Sequence, residues 1–431
     1  MMKLSDERLI ELAQTYRTPL YVFQESIIRS RCKQLKDAIT YESCKIRYAC
    51  KALTLQAVLR IMLDEGFWID ASSVNEVHRA LRAGFNPEEI YYTGEGATAA
   101  VYKFLCDRGI LINCTSIDQL HLLGTNKRGH QCSIRVNPGR GHGESNKTNT
   151  GGPGSKHGIY LDQIDEARSV AKYYGLKIIG IHSHIGSGAK TEEWKKWNEI
   201  NETTLAIARD FSTDLEFVNL GGGLPVSYRP SEKPMDIIQW GREVSRSMRR
   251  LADDIGRNVT LFIEPGRFLV AECGLLLAEV QSIKTTPADD ECSGYRYIIV
   301  NTGLNHNIRP AMYGSHHEIR FVSCSSTPKS TQLQYVVAGY LCESGDVFTV
   351  GKDGRLLPRE FPEVRVGDLM VMENVGAYSH AMKSEYNSMN LPASVLIDNL
   401  GRARVIERRG TLDDIMRREV EAYDEGRDIG M

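Results

Sequence analysis

The chain has 431 residues, of which 42% are hydrophobic and 25% charged, with a formal net charge of -2. That length allows two domains, and the near-neutral balance argues against the basic excess of a nucleic-acid footprint. No apolar run of about 18 residues occurs, so no membrane span is expected.

Met1 to Leu20 mixes charges along its length, so no signal peptide is expected, and the scattered cysteines add the expectation of a cytoplasmic location. The 10 cysteines are Cys32, Cys44, Cys50, Cys106, Cys114, Cys132, Cys273, Cys292, Cys324 and Cys342. None forms a Cys-x-x-Cys pair, which fits reduced thiols better than a disulfide framework.

In chain order, a short helical pattern leads to a strand at Leu20–Phe23. A helix follows with Ile27, Ile28, Cys32, Leu35 and Ile39 on one face. Short apolar runs then recur. They predict strands at Lys45–Ala52, Trp68–Ser72, Ile90–Thr93, Leu111–Thr115, Cys132–Asn137, Lys177–His184, Glu216–Leu220 and Leu261–Glu264. Helical spacing fills the gaps, as in Val74, Val77, Ala80 and Leu81. Eight βα units in succession predict a (β/α)8 TIM-type barrel over residues 25–270. A doubly wound sheet would need a G-x-G-x-x-G turn after its first strand, and none is there. Two loops are long, Gly139–Gly158 and Pro225–Pro234.

After Ala271 the period changes. Alternating runs at Leu275–Ile283, Tyr295–Asn301, Ile319–Ser323, Gln334–Tyr340, Leu369–Met372, Ala393–Ile397 and Arg404–Glu407 predict an antiparallel β domain, a sandwich or small barrel. Residues 271–431 form it, and the N-terminal strand (residues 1–24) completes it. A C-terminal helix is expected from Leu412 to about Tyr423.

A barrel enzyme places its site at the C-terminal ends of its strands. Lys51, Asp70, Asn137, His182, His184, Gly221–Gly223, Glu264 and Arg267 stand there. Each has an ordinary reading as well. Lys51 suits a snorkelling surface amine or a desolvated nucleophile. Gly221–Gly223, like Gly186 and Gly188 around Ser187, suits a tight turn or an anion cradle. His184 suits a satisfied rim histidine or a ring stacked on a cofactor. Glu264 and Arg267 suit a local ion pair, or an acid that keeps a cofactor's ring nitrogen protonated. Cys342 is set among polar residues and is the one thiol that does not read as core. No clustered triad has metal-ligand spacing, so no metal is expected.

Seven motifs fall in one order: Tyr48-Ala49-Cys50-Lys51-Ala52, His182-Ser183-His184-Ile185-Gly186-Ser187, Gly221-Gly222-Gly223, Glu264-Pro265-Gly266-Arg267, Arg309-Pro310-Ala311-Met312-Tyr313-Gly314, Cys342-Glu343-Ser344-Gly345-Asp346 and Gly376-Ala377-Tyr378. With them the chain resembles the fold-type III PLP-dependent amino-acid decarboxylases over nearly its whole length, nearest to the diaminopimelate decarboxylase branch. The resemblance implies pyridoxal 5'-phosphate as cofactor, held by Lys51, with His184 stacked on its ring and Glu264 against its nitrogen. Ser187, Gly221, Gly222, Gly223, Gly266 and Tyr378 would hold the phosphate, with Arg267 beside them. Arg267, Arg309 and Tyr313 would take a substrate's distal carboxylate, Glu343 its distal ammonium, and Cys342 would protonate the carbanion, with Tyr378 also at the substrate. The resemblance further implies a head-to-tail homodimer in which the Cys342 and Tyr378 elements reach into the partner's barrel.

The implied reaction is loss of CO2 from meso-2,6-diaminopimelate to give L-lysine. Decarboxylases of D-lysine, D-ornithine or a siderophore precursor share the cofactor residues, as does an amino-acid racemase of this fold. The chain departs from the common pattern at Leu53, at Gly188, at Asn390-Leu391-Pro392 and in loop 139–158, which carries His142, Lys147 and Asn149.

Overall fold

A computed structural model describes residues 4–141, 143, 148–188, 191–288, 294–323 and 331–419. His142, Lys147, Cys292, Cys324 and the end of the expected C-terminal helix at Tyr423 lie outside them. Within them, that helix spans Leu412–Met416.

Eight parallel strands close into a barrel: Cys44–Ala49, Trp68–Ala71, Ile90–Tyr92, Leu111–Cys114, Gln131–Asn137, Lys177–His182, Phe217–Asn219 and Thr260–Ile263. The ring shuts where Leu261 pairs with Cys44. Helices follow the strands as predicted. Several start where the sequence supplies a cap: Ser73, Thr98 and Ser116 each accept from a backbone N–H of the first turn. Helix Glu25–Ala38 packs on Ile237–Ile255 so closely that a Cβ at Gly241 would meet Ala38 O at 2.2 Å.

The N-terminal end of the barrel is plugged by Tyr91, Ile179, Phe217 and Phe262. Phe217 and Phe262 stack at 4.2 Å, and the Arg47 guanidinium lies 4.2 Å from the Phe262 centroid. Burial pulls the Arg47 pKa down to about 10, and the aromatic faces supply part of the solvation it loses. With that end filled, the cavity lined by polar groups lies at the other.

The second sheet has nine strands. Its main path runs Arg359–Pro362, Gln332–Ala338, Arg296–Val300, Gly274–Thr285, Leu20–Gln24, Ala393–Ile397, Ala403–Glu407. Leu369–Met372 pairs with Gly274–Thr285 and with Ile319–Val322. The N-terminal strand is interior to this sheet, as expected, and all five of its residues are buried. The sheet is mostly antiparallel, not wholly so. Leu20–Gln24 runs parallel to Ala393–Ile397, and Arg296–Val300 runs parallel to Gln332–Ala338. Strand Arg359–Pro362 was not expected, because its alternation is masked by charge and a proline.

Candidate active site

The open end of the barrel and the second sheet enclose a cavity of about 530 Å³. Lys51, Asp70, His182, His184, Glu264 and Arg267 line it from the barrel, and Arg309, Tyr313 and Tyr378 from beyond it. A second cleft of about 560 Å³ lies behind Tyr228, among Ile27, Phe268 and Leu275, and none of these chemical groups except Tyr228 borders it.

The first strand stops at Ala49, three residues short of expectation, and a 3-10 turn Cys50–Ala52 carries Lys51. Neighbours pin the turn on both sides. Ala49 N donates to Pro265 O (3.1 Å), and Tyr378 N donates to Ala52 O (2.8 Å). Lys51 Nζ lies 3.5 Å from Asp70 Oδ2. The lysine side chain is 44% exposed, to the cavity, while Asp70 is 1% exposed. Burial works against the ammonium form of Lys51, and Asp70, Tyr378 and Glu264 outweigh it, so its pKa lies above the ordinary lysine range. Burial and then Glu264 push Asp70 up.

Glu264 is 5% exposed. Asn219 Nδ2 donates to its Oε1 at 2.6 Å, and His182 Nε2 lies 3.4 Å from its Oε2. Burial would raise its pKa, but His182, Lys51 and His184 overcome that and hold it well below the usual carboxylate range. His184 sits beside it with Nδ1 accepting from Gly222 N at 3.0 Å. Burial, Arg135 and Lys51 depress its pKa, so the ring is neutral.

The glycine run is tight. A Cβ at Gly222 would lie 1.8 Å from Glu264 O, and Gly221 and Gly223 both have positive φ. Two of the three amides expected for an anion are committed elsewhere. Gly221 N donates to Asn219 Oδ1 (2.9 Å) and Gly222 N to His184 Nδ1 (3.0 Å). Gly222→Ala is expected to lower stability by about 3 kcal/mol, because backbone rather than a flexible side chain blocks the new methyl. Urea denaturation checks this.

Arg267 and Arg309 converge on one phenol. Their Nη1 atoms donate to Tyr228 Oη at 2.7 and 3.1 Å. Arg309, 1% exposed, also contacts His317 Nε2 (3.1 Å) and donates to Ser315 Oγ (3.2 Å). Burial and Arg309 keep His317 neutral, with Nδ1 donating to Glu373 O at 3.0 Å. Arg267 Nη2 donates to Ser187 Oγ at 3.1 Å. Two guanidiniums and a hydroxyl make an anion-reading corner.

Tyr378 lines its own chain's cavity, so the expectation that it reaches into a partner's barrel is corrected. It has φ 66°, a strained value for an aromatic residue, and the Arg267 guanidinium lies 5.1 Å from its ring centroid. The turn before it docks closely, since a Cβ at Gly376 would lie 1.7 Å from Val270 O. Cys342 and Glu343 are exposed and do not border the cavity. Their turn is braced: Asp346 accepts from Leu341 N (2.9 Å) and Leu304 N (2.6 Å), and Asn387 accepts from Cys342 N (3.0 Å). Asn137 clasps the long loop, accepting from Gly139 N and Gly152 N. It belongs to the loop's structure and not to the cavity lining.

Tyr228, His317, Arg135, Asn113 and Asn219 were missed in the sequence reading. For the two asparagines a signal existed. Each interrupts an apolar strand, Leu111-Ile112-Asn113-Cys114 and Phe217-Val218-Asn219, and a buried amide demands partners.

Residues 25–271 match the family described as pyridoxal-dependent decarboxylase, pyridoxal binding domain. Diaminopimelate decarboxylase of Escherichia coli K12 is 37% identical over 423 residues, covering 97% of each chain. A crystal structure of diaminopimelate decarboxylase superposes with a TM-score of 0.89 at 36% identity, covering 97% of this chain and 98% of that one. The Helicobacter pylori enzyme complexed with L-lysine gives 0.80 at 28% identity, covering 95% and 98%. The chain belongs to the pyridoxal-dependent decarboxylase family.

Proposed function

We propose that the chain is a PLP-dependent carboxy-lyase that removes CO2 from meso-2,6-diaminopimelate and leaves L-lysine. One observation carries the substrate. Arg267 and Arg309, which share the Tyr228 hydroxyl as a hydrogen-bond acceptor, line the same cavity as Lys51 and Glu264, placed for a carboxylate remote from the reacting one.

The residues present fit the cofactor. Glu264 accepts from Asn219 Nδ2 and has His182 Nε2 at 3.4 Å, and its remaining lone pairs are available to a ring N–H. Among the described residues Asp70 Oδ1 and Oδ2 are buried without hydrogen-bond partners, with the Lys51 amine 3.5 Å from Oδ2. Gly222 leaves no room for a Cβ where the backbone must approach. When bound, PLP supplies the electron sink that makes loss of CO2 from an amino acid accessible.

The chain's own residues do the rest. Lys51 attaches the cofactor. Glu264 holds the proton on its ring nitrogen, and His184 presents a flat neutral ring. Ser187, Gly223, Gly266 and Tyr378 hold the phosphate, while Gly221 and Gly222 shape the floor. Arg267, Arg309 and Tyr313 hold the distal carboxylate and so orient the carboxylate that leaves. Glu343 of the partner subunit reads the distal ammonium, and Cys342 of the partner subunit delivers a proton to Cα. The enzyme is thus a head-to-tail homodimer, and the two domains are residues 25–270 and residues 1–24 with 271–431. No helix among the described residues is long and apolar enough to cross a membrane, and a cytoplasmic role in lysine biosynthesis is the natural setting.

CO2 release from the purified protein with PLP tests the substrate. Meso-diaminopimelate is expected to be the best of a panel with D-lysine, D-ornithine and L-ornithine. Preference for a basic amino acid lacking the second carboxylate would sink the assignment.

A further inference from the structure

A line of buried side chains runs beneath the cavity through the barrel interior, and the function as read so far leaves most of it without a role. Tyr91 Oη lies 2.7 Å from Ser133 Oγ, which lies 2.9 Å from Asn113 Oδ1. Asn113 Nδ2 lies 2.7 Å from His182 Nδ1 and donates to Thr93 Oγ1 at 3.2 Å. His182 Nε2 then faces Glu264 Oε2 at 3.4 Å. Tyr91, Asn113, Ser133 and Asn219 are 0% exposed and His182 is 1% exposed. Five successive barrel strands supply these residues, each turning a polar group into a space that apolar side chains fill elsewhere. Five buried polar side chains in one line cost desolvation unless their hydrogen bonds are made, so their alignment has to serve something.

The donors and acceptors can be worked out from the ends. Ser133 donates to Asn113 Oδ1, so the amide nitrogen points at His182. An amide nitrogen has no lone pair to offer, so His182 Nδ1 is the acceptor and the ring proton is on Nε2. Reversing the amide would put the proton on Nδ1 and set a bare Nε2 lone pair against a carboxylate, which repels. Nε2 has no hydrogen-bond partner among the described residues, and Glu264 Oε2 lies 3.4 Å from it.

The geometry points to Asn113 as a positioning residue that fixes His182 as its Nε2–H tautomer, so that His182 and Asn219 hold Glu264 as a carboxylate with its free lone pairs turned toward the cofactor's ring nitrogen. This rests on the proposed role of Glu264. The protonation balance agrees. Burial pushes the His182 pKa down, toward the neutral ring that carries a single N–H. Glu264 stays ionised despite its own burial. Tyr91 and Ser133 set the amide's orientation one step further back.

The test is nitrogen NMR of histidine-labelled protein without cofactor, with His182 assigned by its loss in His182→Gln. The wild type is expected to show a bare Nδ1 and a protonated Nε2. In Asn113→Asp the carboxylate accepts only, so Nδ1 is expected to gain a proton. With PLP added, Asn113→Asp and His182→Leu are expected to bind it roughly 10- to 100-fold more weakly and to shift its visible band. His182→Gln keeps a donor toward Glu264 and an acceptor toward Asn113, and it is expected to recover at least about tenfold of what His182→Leu loses. A wild-type His182 protonated on Nδ1 would overturn the inference, as would a His182→Gln variant no better than His182→Leu. Failure of the wild type to bind PLP would strike the proposed function instead, and the tautomer would still be decided by the NMR.

Discussion

Replacing Lys51 by Ala is expected to abolish retention of PLP through gel filtration and to lower decarboxylation by about 10^4-fold or more, the combined loss of a covalent anchor and a positioned amine. Borohydride treatment of the wild type with PLP should leave a pyridoxyl group on the peptide containing Lys51, and the variant should show no such mass. The loss is expected without unfolding. Asp70 is 1% exposed and loses its 3.5 Å partner in the variant. Burial and Glu264 already push its pKa up, so it takes a proton and no buried charge is stranded. The turn that carries residue 51 is held by backbone bonds from Ala49 and Tyr378, which the substitution leaves in place. A variant that melts like the wild type, binds no label and releases no CO2 is the expected result. A labelled peptide elsewhere in the chain would remove Lys51 from its role.

How much of this was legible beforehand depends on the range of the interaction involved. The barrel could be read because each βα unit repeats a local pattern. A strand such as Leu111–Cys114 is an apolar run broken only by Asn113, and Ser116 caps the helix that follows. Lys51, His184 and Glu264 could be placed because strand ends of a barrel converge by symmetry. Boundaries at those ends were read too long, since Lys51 and His184 lie on turns that continue apolar runs. Strand direction in the second sheet was not legible. A period of two gives the buried face and not the partner, so nothing in Leu20–Gln24 announces a parallel neighbour more than 370 residues away at Ala393–Ile397. The Tyr228 bridge was hidden for the same reason. Its two arginines follow it by 39 and 81 positions, and only the closed barrel with the sheet folded over it brings the three together. The braced turn at Cys342 was visible as a motif, but its outward aim was settled by Asp346 and Asn387, neither of which the motif required to point anywhere.

That outward aim leads to the second large effect. Cys342 and Glu343 stand away from their own cavity on a rigid turn, while Lys51, Glu264, Arg309 and Tyr378 all face into it. If each site takes its proton donor from the neighbouring subunit, Lys51→Ala and Cys342→Ala carry defects on opposite contributions to a site. Each variant alone is expected to be nearly inactive as a homodimer. Co-expressed with separable tags, they form mixed dimers with one site built from the intact Lys51 of one chain and the intact Cys342 of the other. The second site of that dimer carries both defects. Random pairing makes half the dimers mixed with one working site of two, so activity is expected to return to about a quarter of wild type. Purified mixed dimers should reach about half. Were Cys342 to serve its own chain, every site in every dimer would keep one defect and mixing would restore nothing. The readout therefore separates a shared site from a private one without requiring a structure of the dimer.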